Sequence, residues 1–184
     1  NVTELFERAA YYSMASFVVI YLGQLGFGEY WPSNLNSLLW TIVYFLPILS
    51  GTIADVVGFR RSLLVAFVLL TVGYCLMGLP VWAGWATIAA TVSSEFTATP
   101  LLMGTMVLGI LVIGLGGSVI KPCISGTIQK TAGIRATLGF AIFYMVINIG
   151  SLFGRGTAFV VRSGSPLPVI VGVVAVCALA AFGL

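Results

Sequence analysis

Apolar stretches of about twenty residues alternate with short polar connections along almost the whole chain. A helix needs roughly 20 apolar residues to cross a hydrocarbon core about 30 Å thick, and each stretch is close to that length. The pattern predicts six helices, over 4–25, 36–53, 62–82, 101–121, 136–161 and 167–184. Their ends follow local signals. Gly26-Phe27-Gly28 closes the first, and a loop with Glu29, Trp31 and Pro32 follows, its aromatics suited to the membrane interface. The fourth stops at Pro122, directly after Lys121, and a longer connection from Ala83 to Pro100 carries Glu95. Arg60, Arg61, Lys130 and Arg135 lie in the connections after helices two and four. The other side holds only Arg162, with Arg155 near the end of helix five. That bias places the N-terminus in the cytoplasm.

Composition narrows the class. The chain is 60% hydrophobic and 7% charged, with 22 glycines, no histidine and a mean hydropathy of +1.13. An ordinary soluble domain is excluded, and an all-α, multi-pass membrane protein is what remains. A net charge of +3, scattered along the chain, does not make a nucleic-acid surface. Cys75, Cys123 and Cys177 lie in or beside apolar segments without metal-ligand spacing and read as small hydrophobes. No nucleophile–base pair, metal cluster or cofactor loop is present in the sequence, so no enzyme, metal or cofactor is expected. The chain starts without a methionine, and its last helix runs off the end at Phe182-Gly183-Leu184. It therefore reads as a piece of a longer membrane protein.

With so few charges, their placement carries information. Glu4, Glu7 and Arg8 stand at i, i+3 and i+4, one stripe of a helix, and Tyr11 and Tyr12 extend it by a turn. An ionised group at mid-bilayer costs about 2.5–3.5 kcal/mol on insertion scales, so such groups usually face a polar cavity on an ion or substrate path. The turn Gly51-x-x-Ala54-Asp55-x-x-Gly58-x-Arg60-Arg61 is a second constellation. Gly51 and Ala54 are small enough for close helix packing, and Asp55 can face a neighbouring helix end. Gly58 supplies the tight turn, and the arginines anchor the cytoplasmic side.

That turn resembles the signature loop between helices two and three of the major facilitator superfamily. Glu4-x-x-Glu7-Arg8 with Tyr11-Tyr12 closely resembles the E-x-x-E-R-F-x-Y-Y signature of the proton-dependent oligopeptide transporter family, Ala9 replacing the phenylalanine. Three further segments are similar to that family. Tyr44 stands eleven residues before Asp55, where members have a substrate-facing tyrosine. Gly114-x-Gly116-Gly117 leads to Lys121-Pro122, like the Gly-rich helix whose lysine enters the central cavity. Phe143-Tyr144-x-x-Ile147-Asn148-x-Gly150-Ser151 matches the signature of helix five. Two positions depart from the pattern. Gln129-Lys130 replaces the usual Gly-Asp, which bears on cytoplasmic gating, and Ser37 stands where animal members have a histidine, leaving glutamate and lysine titration for proton coupling.

The resemblance implies the N-terminal six-helix bundle, residues 1–184, of a transporter whose two halves rock around a midplane site in the cell membrane. Its partners are small peptides, the lipid bilayer and the C-terminal half of the same protein, which supplies a carboxylate for the peptide ammonium. Substrate binding falls to Arg8, Tyr11, Tyr12, Tyr44, Lys121 and Asn148. Arg8 offers a planar fork for a carboxylate and Lys121 a mobile point charge; the tyrosines give hydroxyls and apolar walls, and Asn148 can donate and accept. Proton coupling falls to Glu4, Glu7, Arg8 and Lys121, with Glu7–Lys121 as the switching pair and Arg8 shared between substrate and Glu4. Gly51, Asp55, Gly58, Arg60 and Arg61 form a cytoplasmic gating loop. The alternatives are nitrate or another small organic ion on the same scaffold, or a non-transporting membrane fragment.

Overall fold

The computed structural model describes residues 2–164 and Val176; the predicted sixth helix, 167–184, and Cys177 with it, lie outside the described residues. The chain is all-helical among the described residues: α1 (Val2–Gln24), α2 (Tyr30–Phe45), α3 (Pro47–Val57), α4 (Phe59–Trp82), α5 (Pro100–Ala132) and α6 (Ala136–Gly164). A single 3-10 turn, Gly133–Arg135, joins the last two. Among the described residues, Phe59–Trp82 and the stretch Pro100–Phe159 are long and apolar enough to cross a membrane, and α2 with α3, bent by 46°, form a third such segment. Within α4 the most apolar eighteen residues reach a mean hydropathy of 2.3.

Prolines explain where these helices depart from the sequence prediction. The second segment begins at Tyr30 rather than at residue 36, because Pro32 sits in its first turn, where a missing N–H costs nothing. The bend falls at Leu46, since Pro47 has no N–H to offer the carbonyl four residues back and starts a new helix instead. The fourth membrane segment does not stop at Lys121. α5 begins with Thr99 capping the Leu102 N–H ahead of Pro100, then runs through Pro122 to Ala132.

A proline inside a helix orphans the carbonyl four residues earlier, here that of Ser118. The Ser50 hydroxyl on α3 donates to this carbonyl at 3.0 Å, with both residues buried. Gly51, the next residue, leaves room for the ring: a Cβ there would lie 3.2 Å from Pro122 Cβ. A neighbouring helix thus supplies the bond the proline removes. Ser50→Ala is expected to cost about 1–3 kcal/mol, the penalty for a buried polar group left unpaired. Pro122→Ala restores the N–H, so adding it should recover most of that loss. Thermal denaturation of the four forms in detergent checks the coupling, and strictly additive effects would contradict it.

Small residues set two close helix seams. Along α4–α5, a Cβ on Gly73 would lie 3.0 Å from the Ile113 nitrogen, and one on Gly116 2.9 Å from the Ala66 carbonyl oxygen. Along α1–α6, a Cβ on Gly150 would lie 2.9 Å from the Leu5 carbonyl oxygen. In lipid, where packing replaces the hydrophobic drive, such close approach is what holds helices together. Phe17, Tyr21, Leu39, Leu70, Met106 and Ile110 fill the interior between α1, α2, α4 and α5. The Tyr21 hydroxyl donates to the Met77 carbonyl at 2.7 Å, tying α1 to α4.

Candidate functional site

The α1 stripe is sealed inside the bundle. Glu4, Glu7 and Arg8 are 1%, 0% and 2% exposed. Arg8 Nε donates to Glu7 Oε2 and lies 3.1 Å from Glu4 Oε1. The guanidinium carbon stands 5.4 Å from the centre of the Tyr11 ring, which is itself buried. Close approach of α6 makes this possible, since a Cβ on Gly150 would sit 2.8 Å from Arg8 Cβ. The second oxygen of Glu7 and both oxygens of Glu4 accept no hydrogen bond among the described residues. Two carboxylates therefore share one cation, and part of their hydrogen-bonding capacity is unspent.

Next to this cluster runs an aromatic strip. Tyr11 meets Tyr12 and Trp40 edge-on, each with ring centres 5.7 Å apart, and Trp40 stacks on Tyr44 at the same separation and an angle of 16°. The half-buried Lys121 places its ammonium 5.0 Å from the centre of the Tyr44 ring. Tyr12 is half-buried, and Tyr44 and Asn148 are exposed; the Asn148 side-chain amide donates to the Tyr144 carbonyl of its own helix at 2.9 Å.

The residues assigned to substrate binding from sequence thus divide in this conformation. Tyr12, Tyr44, Lys121 and Asn148 are accessible, whereas Arg8 and Tyr11 are enclosed. Glu7 and Lys121 are not paired here: the ion pairs within 4.0 Å among the described residues are Arg8 with Glu4 and Glu7, and Lys130 with Asp55. Two residues of the open face were not assigned from sequence, Trp40 and Arg155. Arg155 on α6 places its guanidinium carbon 5.4 Å from the centre of the Tyr12 ring. Its signal was present, because Tyr144, Asn148 and Arg155 fall on one helical face at spacings of four and seven.

At the far end of the bundle, Gly58 turns the chain from α3 into α4 with φ +100°, a conformation that favours glycine. Asp55 pairs with Lys130 of α5 at 3.4 Å, and the same ammonium stands 4.2 Å from the centre of the Phe59 ring. Both partners of the pair are about two-thirds exposed, and Arg60 and Arg61 nearby are exposed as well, so this is a weak and easily opened contact. Gly51 is committed to Pro122 rather than to the turn.

A bundle of apolar helices with a sealed charge cluster and an adjoining open strip of aromatics and cations defines a polytopic membrane protein built around an internal polar site. The family follows from comparison. The model of the POT family matches residues 45–184, and the chain belongs to that family. Solute carrier family 15 member 1 of Oryctolagus cuniculus is 29% identical over 165 residues, covering 82% of this chain and 22% of that protein. Dipeptide and tripeptide permease A of Escherichia coli K12 is 28% identical over 155 residues, covering 82% of this chain and 27% of the permease. In a crystal structure of tetrameric PepTSo2 the matching region superposes with a TM-score of 0.74 at 25% identity, covering 98% of this chain and 37% of that one. The chain spans about a quarter of the length of these curated relatives.

Proposed function

We propose that this chain is the N-terminal six-helix half of a proton-coupled symporter that carries di- and tripeptides by alternating access. The observation that carries the reading is the buried Glu4–Arg8–Glu7 cluster lying against the open Tyr12–Trp40–Tyr44–Lys121 strip. The names of the relatives, a dipeptide and tripeptide permease and a di-/tripeptide transporter, support the substrate class. The remainder of the full-length protein completes the site and supplies the carboxylate for the peptide ammonium.

The coupling follows from shared partners. Burial opposes the charge on a carboxylate and a neighbouring cation favours it, so the proton affinity of Glu7 depends on which cation it faces. In this conformation Glu7 holds Arg8, and Lys121 rests over Tyr44. In the alternative conformation Lys121 leaves Tyr44 for Glu7, and Arg8, retained by Glu4, turns its free donors to the peptide carboxylate. Proton binding at Glu7 then biases one state over the other, which is the requirement for linkage between proton and substrate. Tyr12, Tyr44 and Asn148 line the peptide, while the Gly51–Arg61 loop with the Asp55–Lys130 pair gates the cytoplasmic side. The N-terminus is cytoplasmic and the protein resides in the cell membrane.

Dipeptide uptake by the full-length protein in proteoliposomes, under an inward proton gradient, tests this. Wild type should accumulate Ala-Ala. Glu7→Gln should lose gradient-driven uptake, by about 10²-fold or more, while peptide counterflow survives. No uptake of any dipeptide by a folded sample would sink the peptide reading and favour nitrate or another small organic ion.

A further inference from the structure

Arg155 is the one charge on the open face that the coupling scheme leaves without a task. It belongs to α6, and its guanidinium rests over Tyr12, ten residues after the start of α1 at Val2 and twelve before its end at Gln24. That partner sets it level with the middle of α1. The end of α6 at Gly164 is nine residues on, about 14 Å along the axis, farther than an arginine side chain extends. A cation at this depth needs a carboxylate, a ligand or a water-filled cavity. Among the described residues none lies within 4.0 Å of it as an ion-pair partner, since Glu4 and Glu7 are both sealed around Arg8.

What Arg155 does have is space. Together with Tyr12, Ala15, Ser16 and Trp40 it lines a cavity of about 320 Å³ between α1, α2 and α6. The volume is ample for one amino-acid side chain. The walls are the flat rings of Tyr12 and Trp40. The Ser16 hydroxyl is spent on the Tyr12 carbonyl at 2.7 Å, so the charged donor on offer is the guanidinium, with the Tyr12 hydroxyl and the Trp40 indole N–H as neutral donors beside it. The cavity shares a wall with the aromatic strip, because its own Trp40 stacks on Tyr44, which carries Lys121. Two cations thus stand along one aromatic strip, neither with an ion-pair partner among the described residues.

We propose that Arg155, walled by Tyr12 and Trp40, forms a side-chain subsite that takes the carboxylate of an aspartyl or glutamyl residue in the transported peptide. This rests on the peptide reading above. A guanidinium fork binds a carboxylate through two parallel N–H donors, whereas the neutral amide of the same shape accepts only one. The subsite therefore discriminates glutamate from glutamine, which differ in charge and not in size. A peptide with an acidic side chain presents two carboxylates, one for Arg155 and one for the cations that serve the peptide terminus.

The test compares Ala-Glu with Ala-Gln in competition uptake by the full-length protein, reading the ratio of the two apparent affinities within each variant so that general losses cancel. Wild type should favour Ala-Glu by about tenfold, a charge-assisted bond against a neutral one. Arg155→Gln should bring the ratio to about one, and Arg155→Lys, which keeps the charge without the fork, should leave an intermediate value. If wild type shows no preference for Ala-Glu, or if Arg155→Gln or Arg155→Lys keeps the full preference, the subsite is overturned. A variant that loses both peptides in proportion shows instead that Arg155 pairs with a carboxylate of the other half, which also overturns it. Should Arg155→Gln not fold, the wild-type ratio and Arg155→Lys still decide. Absence of Ala-Ala uptake by folded wild type marks failure of the peptide reading itself. No preference for Ala-Glu in wild type, with Ala-Ala uptake intact, marks failure of the subsite alone.

Discussion

Replacing Gly154 with valine is expected to abolish the folded protein, seen as loss of the monodisperse peak on size exclusion in mild detergent. The residue sits where α6 crosses α1, and a Cβ on it would lie 3.0 Å from both the Cα and the carbonyl carbon of Ala9, with the carbonyl oxygen nearer still. Everything it meets is backbone, so no side chain can swing aside and the helices must separate. Overpacking typically costs about 1–3 kcal/mol, and here the cost should reach or exceed about 3 kcal/mol because a whole helix has to move. Gly154→Ala should show a smaller loss in the same direction. Gly156 is the internal control, since a Cβ there meets nothing within 4 Å and valine should be accepted. Equal behaviour of Gly154→Val and Gly156→Val would show that the α1–α6 seam is looser than described. The seam matters beyond stability, for it brings Arg8 against Gly150 and seats the charged helix at the centre of the bundle.

Much of this was readable in the sequence, and the rest failed for definable reasons. Helix positions are legible because an apolar run of membrane length is a strong signal, and the α1 stripe is legible because charges are rare enough for three on one face to stand out. What escaped depends on partners far along the chain. Pro122 looks like a helix end until Ser50, 68 residues before Ser118, is seen to occupy the Ser118 carbonyl that the proline orphans. Lys130 looks like one more cytoplasmic cation until it is found on Asp55, 75 residues earlier. Enclosure is equally hidden: Tyr11 and Tyr12 are neighbours in sequence, yet one is core and the other lines the cavity, because successive helical residues point about 100° apart. Trp40 and Arg155 were passed over because an aromatic in an apolar helix reads as packing and a cation near a helix end reads as an anchor. Only the juxtaposition of α1, α2 and α6 gives them a common cavity.

The second large effect is expected at Arg8. Arg8→Met removes the cation that two carboxylates share and leaves Glu4 and Glu7 enclosed, at 1% and 0% exposure, with no other ion-pair partner within 4.0 Å among the described residues. Breaking a buried pair by deleting one member costs about 3–5 kcal/mol, because the charges that stay behind keep their desolvation penalty and lose the attraction that offset it. The variant should therefore unfold well below wild type in detergent. The triple variant Glu4→Gln, Glu7→Gln, Arg8→Met removes all three charges at similar volume, and substitutions of this kind are often neutral or stabilising. It should recover most of the lost stability and yet show no gradient-driven uptake. That separation is the point, for it divides what the cluster contributes to folding from what it contributes to coupling. If Arg8→Met is as stable as wild type, the two carboxylates do not depend on Arg8. If the triple variant remains as unstable as the single one, the shape of the arginine, not its charge, holds α1 in place. If the triple variant transports against a gradient, the coupling resides outside α1 and the scheme built on Glu7 falls.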